Sequence, residues 1–586
     1  NAIFKLLLVV VFMMLTNPVL THLLASRADA LGITVAAVSC LDILRDPRWG
    51  RSEECFGEDP FLASQMAKAV VRGIQSQGVE VTAKHLCAQG ETTGGINASA
   101  ARIGQRELRE IHLPPVKACV EAGVTSFMAA YNEIDGIYCH ANRSLLTDLL
   151  RGEYGFEGFV MSDGVAIDQL DAVTGDRCAS GALALNAGVD MGLWDTAFSM
   201  LEEALDRGLV DEPRIDEAVM RILTVKFRRG LFENPYLPEN DDYCKFNYVN
   251  FPQVKDLAEQ SLVLLKNDGI LPLKPERGKR IAVIGENATR SLLRAGGSSE
   301  LKPRREVSPL EAMVECYGAE NVCYAMGYGS SASSYGRVNP SPYDAEMLRQ
   351  EALEAARKAD VVLFVGGLNK SHRQDCEDGD RLDYALPFGQ EELIRELSAV
   401  NENLVVVLLS GNAVETAWSD LPRAIVQGWY GGSEAGHALV DVLSGAVNPS
   451  GKLPFSFYAR LEDCGAHAFD EACYPGVDDV CHYKEDIFVG YRWLQAKGIR
   501  PAYPFGFGLS YTTFELGEPK AKRTTYRAGD TVSVEVDVTN TGKVAGAEVA
   551  QLYVSDEECS VVRPLKELKG FEKIHLEPGE TKEVEF

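Results

Sequence analysis

Short apolar runs that stop abruptly on polar residues recur through the first two hundred positions of the chain. They read "GITVAAVSCLDI" (32–43), "VEVTAKHLCA" (79–88), "TSFMAAYNEI" (125–134), "GFVMSDG" (158–164) and "GVDMGLW" (188–194). Runs of this length, rich in β-branched residues, predict buried strands. Between them "ASQMAKAVVRGIQSQG", "RELREIHLPPVKACVEAG" and "NRSLLTDLLRGEYG" carry apolar residues at helical spacing and end near a glycine. Strand alternating with helix predicts a parallel sheet, and at this length a (β/α) barrel.

After "VKFRRGLFENPYLPEN" a Pro/Asn-rich stretch predicts a linker, and a second alternating pattern follows. Its strands read "KRIAVIGENA", "DVVLFVGGLN", "NLVVVLLSGNAVE" and "RAIVQGWYGG", with helical stretches "DAEMLRQEALEAARKA" and "GQEELIRELSAVN" between them. An open sheet with helices on both faces fits. From about residue 516 the period changes to two in "TVSVEVDVTN", "AEVAQLYVSD" and "TKEVEF", the pattern of an antiparallel β-sandwich. The last run is still strand-like at Phe586, and the first residues enter a domain interior soon after "IFKLLLVVVFMML", so both termini read as truncated. That N-terminal run has the length of a signal-peptide core and is too short to span a bilayer. Compartment stays open between cytoplasmic and secreted.

Composition narrows the function classes. With 46% hydrophobic and 24% charged residues the chain reads as globular and multidomain. Its 58 basic against 85 acidic residues give a formal charge of -27, which would repel nucleic acid and anionic membranes and suits neutral or cationic small substrates. Fourteen cysteines are scattered with no CxxC pair, so neither a disulfide framework nor a metal site is expected. The glycine-rich "RAGGSSELKP" lacks both the GxGxxG and the GK[ST] signatures, so no nucleotide cofactor is expected either. Sequons at Asn97, Asn142, Asn287 and Asn369 carry little weight alone. In a barrel the chemistry sits at the C-terminal strand ends, which here carry Asp46, Lys84 with His85, Tyr131, Asp163 and Asp190, five polar ends able to face one cavity.

The stretches "LDILRDPRWGRSEECFGEDPFLAS", "AKHL", "AAYNEIDGIYCHANRSLLTDLLR", "GFVMSDGVAID", "PSGKLPFSF" and "PFGFGLSYTTF" together resemble glycoside hydrolase family 3, in particular its β-glucosidases with a C-terminal fibronectin type III-like domain. The resemblance implies a (β/α)8-like barrel (1–240, N-terminally truncated), an α/β sandwich domain (255–515) and an incomplete fibronectin type III-like β-sandwich (516–586). It implies a retaining exo-β-glycosidase without metal or cofactor, acting on small β-linked saccharides or glycosides, with a homo-oligomer compatible with it. Asp163, in the S-D-x motif, would be the nucleophile. The acid/base would come from the loop "GGLNKSHRQDCEDGDRLDYALP", which places the role on Glu377, with Asp375 and Asp378 as rivals. Arg51, Lys84, His85, Tyr131 and Ser298 would surround the terminal sugar.

Two departures from the family pattern stand out. The upstream D-G-P-x-G stretch, whose aspartate holds distal sugar hydroxyls, is absent, which keeps an inactive sugar-binding fragment open as a reading. Ile96 stands where an arginine usually follows the Gly pair, so Arg102 becomes its candidate replacement and a β-xyloside a candidate substrate. Gly164 stands where many relatives carry an aromatic, which implies a roomier leaving-group site. The β-N-acetylglucosaminidase branch takes its acid/base from a D-S-H loop, and no such motif follows His85.

Overall fold

The computed structural model describes residues 33–236 and 252–586, apart from 277, 291, 293–296, 300–304, 331–339, 371–372, 378, 470–471, 474–476, 478–481 and 483. The N-terminal apolar run and most of the linker therefore lie outside the described residues. The chain divides into two compact units: the residues up to Val249 with Cys464–Val489, and Asn250–Asp463 with Gly490–Phe586.

In the first unit, strands β1 (Val35–Cys40), β2 (Glu80–Leu86), β3 (Ser126–Ala129) and β4 (Phe159–Met161) form one sheet in sequential order, every neighbouring pair parallel. A parallel bridge from Met161 to Met191 continues the order. The five apolar runs thus occupy five consecutive sheet positions. Helices return the chain between strands. Pro60–Gln75 starts where Asp59 caps the Leu62 N–H at 2.8 Å and proline occupies the first turn, and it buries Ala63, Met66, Ala67, Val70, Val71 and Ile74. Those positions recur every three to four residues, so one face of the helix covers the sheet.

The second unit is built on six strands: β5 (Val263–Asn267), β6 (Ile281–Ile284), β7 (Val322–Ala325), β8 (Val361–Gly367), β9 (Leu404–Leu409) and β10 (Ala424–Gln427), in the order β5-β10-β9-β8-β6-β7. All pairs are parallel except β5 with β10. Every residue of β6, β8, β9 and β10 is buried, as expected of strands covered on both faces. The pattern missed β5 and β7 because the first, "VLLKN", ends in half-buried polar residues and the second is a half-exposed edge, "VCYA". In the same unit, Val534–Asn540 pairs with Phe514–Leu516, Lys520–Ala521 and Thr581–Glu585, and Gly546–Val554 pairs with Glu567–Leu576. Val536, Val538, Ala550, Leu576 and Val584 form the core of this sandwich. It is tied to its own unit by the Tyr491 hydroxyl, which accepts the Leu568 N–H, and by Lys452 paired with Glu548 at 2.6 Å. No helix of the described residues is long and apolar enough to cross a membrane.

Candidate active site

Asp163 stands two residues beyond β4, with only part of its side chain, 14%, reaching solvent. Its neighbour Ser162 is fully buried and donates its N–H to Met191 O at 2.9 Å, which fixes the strand end. Asp163 Oδ1 accepts the Gly164 N–H at 2.8 Å, and Oδ2 faces His85 Nε2 at 3.6 Å. On its far side the His85 ring donates from Nδ1 to Asp42 Oδ2 at 2.8 Å. Burial and Arg51 both oppose a charge on His85, but the hydrogen bond and charge of Asp42 outweigh them and raise the imidazole to about 9. The order carboxylate, imidazolium, carboxylate follows at neutral pH. Asp42 itself is held below the usual carboxylate range against its burial, by His85, by the Cys40 thiol at 3.2 Å and by the charge of Arg51. The Gly90 N–H also donates to it at 3.1 Å.

A second histidine completes the setting. The Asp163 backbone N–H donates to His140 Nε2 at 3.1 Å. Burial pushes His140 down to about 4 although Asp163 pulls the other way, so its ring is neutral and free to accept. Tyr131 donates its hydroxyl to Gly164 O at 2.9 Å. The structure therefore brings His85, Tyr131 and Asp163 together as the sequence led one to expect.

Arg51 and Lys84 converge on a residue the sequence reading did not single out. Arg51 meets Glu54 with two hydrogen bonds of 2.6 and 2.9 Å, and Lys84 lies 3.5 Å from the same carboxylate. Against its burial these cations hold Glu54 ionised far below its usual range. Arg102 is paired with Glu133 at 2.9 Å, not with a group of the Asp163 cluster, and Ile96 is 60% exposed.

Two strand ends depart from the expectation of five polar ends around a cavity. Asp190 is buried between Arg151, Arg214 and Arg221 at 2.6, 2.9 and 2.8 Å, and accepts the Val160 N–H as well. It anchors the barrel wall; a carboxylate at a strand end has the same sequence appearance whether it faces ligand or a cage of arginines. Asp46 likewise bonds Arg48 and lies 3.3 Å from His467.

In the second unit, Glu377 follows β8 in the loop named from the sequence and is nearly buried. Its Oε2 accepts the Ser298 N–H at 2.8 Å, so these two candidates also meet. Of the rivals, Asp375 is wholly buried and engaged by the Gly411 N–H at 2.7 Å and the Tyr430 hydroxyl at 2.8 Å. Burial raises its carboxyl despite Arg381. Asp378 lies outside the described residues. Buried Asn287 and Asn369 are unsuited to carry glycans.

Among the described residues two buried groups have the composition of metal ligands, Cys40 with Asp42 and His85, and Glu91 with Glu107 and His112. The first is knit by the hydrogen bonds already described. At the second, the Arg45 guanidinium pairs with Glu91, with Glu107 at 2.6 Å and with Glu485 at 3.4 Å, supplying the positive charge itself. Asp42 and His140 were missed in the sequence, although Asp42 stands two residues past β1 just as Asp163 stands two past β4.

Comparison with known proteins identifies the domains. Residues 19–225 match the glycosyl hydrolase family 3 N-terminal domain, 262–511 the family 3 C-terminal domain, and 548–586 a fibronectin type III-like domain. The chain is 42% identical over 566 residues to a β-glucosidase of Bacteroides ovatus, covering 93% of this chain and 74% of that protein. It is 37% identical to a β-xylosidase of Formosa agariphila, covering 96% and 78%. Among solved structures it is similar to a β-glucosidase from Listeria innocua in complex with isofagomine, with a TM-score of 0.85, 30% identity, and coverage of 100% of this chain and 81% of that one. The chain belongs to glycosyl hydrolase family 3.

Proposed function

We propose that the protein is a retaining exo-β-glucosidase that releases the terminal non-reducing β-D-glucosyl residue of small glycosides. The observation that carries the reading is the Asp163 carboxylate, partly open to solvent at a fixed strand end beside the His85 imidazolium. In the first step Asp163 attacks the anomeric carbon and the glycosidic C–O bond breaks, while Glu377 protonates the departing oxygen. In the second, Glu377 takes a proton from water, whose oxygen attacks the same carbon and frees the carboxylate. A charged donor beside the nucleophile suits hydroxyl recognition, and His85 supplies it on the Oδ2 side. Among relatives, the β-glucosidase of Bacteroides ovatus supports the same activity.

A β-xylosidase is the second reading, favoured by the exposed Ile96 in place of an arginine and by the Formosa relative. Release of p-nitrophenol from the β-glucoside and β-xyloside decides between them. Incubation with 2-deoxy-2-fluoro-β-glucosyl fluoride is expected to leave a glycosyl ester on the peptide holding Asp163. An unlabelled Asp163 in a protein that hydrolyses β-glucosides refutes the assignment.

A further inference from the structure

No CxxC pair marks a disulfide in this chain, yet folding sets two distant cysteines, Cys40 and Cys55, side by side. Cys40 ends β1, Cys55 follows the short helical turn Gly50–Glu54, and a parallel bridge joins the two backbones. Bridged residues on neighbouring strands stand about 4.8 Å apart, inside the span of about 4.4–6.8 Å between α-carbons that a disulfide requires. The two sulfurs are 3.7 Å apart, and both side chains are buried in one small apolar cluster with Trp49. A disulfide brings sulfurs to about 2.05 Å, a shift within reach of side-chain rotation.

Neither thiol is held elsewhere by a strong bond. Cys40 Sγ donates to Asp42 Oδ2 at 3.2 Å and Cys55 Sγ to the Arg51 carbonyl at 3.7 Å, and an S–H is a weak donor. Once the sulfurs are joined, Asp42 keeps the His85 ring at 2.8 Å and the Gly90 N–H at 3.1 Å. The chain between the two cysteines carries Asp42, Arg51 and Glu54, the residues that meet His85 and Lys84. Cys139, by contrast, directs its sulfur at the carbonyl of Cys87, 3.7 Å away.

We propose that Cys40 and Cys55 are a disulfide site, oxidised by a low-molecular-weight disulfide, that staples the loop bearing Asp42, Arg51 and Glu54 to the end of β1. The thiolate of one cysteine attacks a sulfur of glutathione disulfide and expels one glutathione thiolate; the thiolate of the other attacks the mixed disulfide and expels the second. Two thiols lose two electrons in all, one glutathione disulfide is reduced to two glutathiones, and the two cysteine protons pass through solvent to the departing thiolates. Both cysteines are buried in the folded chain, so the exchange belongs to folding or to local opening of this loop. The closed loop takes conformational freedom from the unfolded chain, which makes the oxidised protein the more stable form.

The test incubates the full chain with glutathione disulfide, or with glutathione, in urea just below the unfolding transition. The urea is then removed, remaining thiols are alkylated, and the protein is digested with trypsin without reductant. Cleavage after lysine and arginine leaves Cys40 in peptide 28–45 and Cys55 in peptide 52–68, each with a single cysteine. The expected product of the oxidised sample is these two peptides joined, a mass that reductant splits. Both cysteines alkylated, or each joined to a different cysteine, overturns the proposal. The oxidised protein is expected to melt about 5 °C or more above the reduced one, with the gap lost in Cys40→Ser and in Cys55→Ser. A wild type without the gap, or variants that keep it, overturns the staple, and the peptide linkage in the wild type is read whether or not either variant folds.

Discussion

Asp42→Asn isolates the charge behind His85 while keeping nearly the same shape. In the wild type the imidazole is raised to about 9 because Asp42, 2.8 Å from Nδ1, outweighs burial and Arg51. At that distance a unit charge contributes on the order of 6 kcal/mol at an effective dielectric of about 20, ample for the shift. With asparagine the burial and the Arg51 charge remain, the Asp42 anion is gone and only Asp163 Oδ2 at 3.6 Å still favours the cation, so the imidazole falls well below about 9. The sign follows: the cation is fully present below its folded pKa and is lost as pH rises through about 9 in the wild type, and at a lower pH in the variant. At pH 7.5 the variant then holds less of the cation than the wild type, and kcat/KM is expected to fall roughly tenfold. The assay is kcat/KM on an aryl β-glucoside from pH 5 to 10, with circular dichroism confirming the fold. A variant that keeps both the wild-type alkaline limb and its kcat/KM at pH 7.5 refutes the argument.

Three further outcomes are expected. Glu377→Gln should lower kcat/KM far more for methyl β-glucoside than for a dinitrophenyl glucoside, which needs no proton on departure; equal losses would remove Glu377 from the acid role. Asp190→Asn should destabilise the first unit by about 3–5 kcal/mol in urea unfolding, because three guanidiniums lose their buried anion. Burial, with Glu91 and Glu107 nearby and despite Arg45, raises Glu485 to about 8, so the folded state binds a proton that the unfolded state releases near 4.5. Stability from this group therefore falls as pH rises from about 4.5 to about 8, and Glu485→Gln should gain Tm over the wild type at pH 8 and lose that advantage by pH 5.

The linear pattern of this chain determined its strands, its helices and their order. A strand buried on both faces must be apolar throughout, so β8 and β9 announce themselves as "VVLFVGG" and "LVVVLL", and the change to a two-residue period marks the sandwich. Edge strands escaped, since the half-exposed "VCYA" carries no such constraint. The motif around Asp163 was legible because a strand that stops on Ser-Asp-Gly is a local signal. Tertiary structure alone decided which charges meet. Asp42 and Asp190 both follow apolar runs, yet one holds an imidazolium beside the nucleophile and the other sits among three arginines, because their partners come from distant positions in the chain. Likewise Gly164 signified only missing bulk until folding set Trp194, thirty residues on, against the space it leaves. Sequence period reports burial, a property of each residue with its near neighbours; pairing energies depend on distances of a few ångströms that only the packed chain defines.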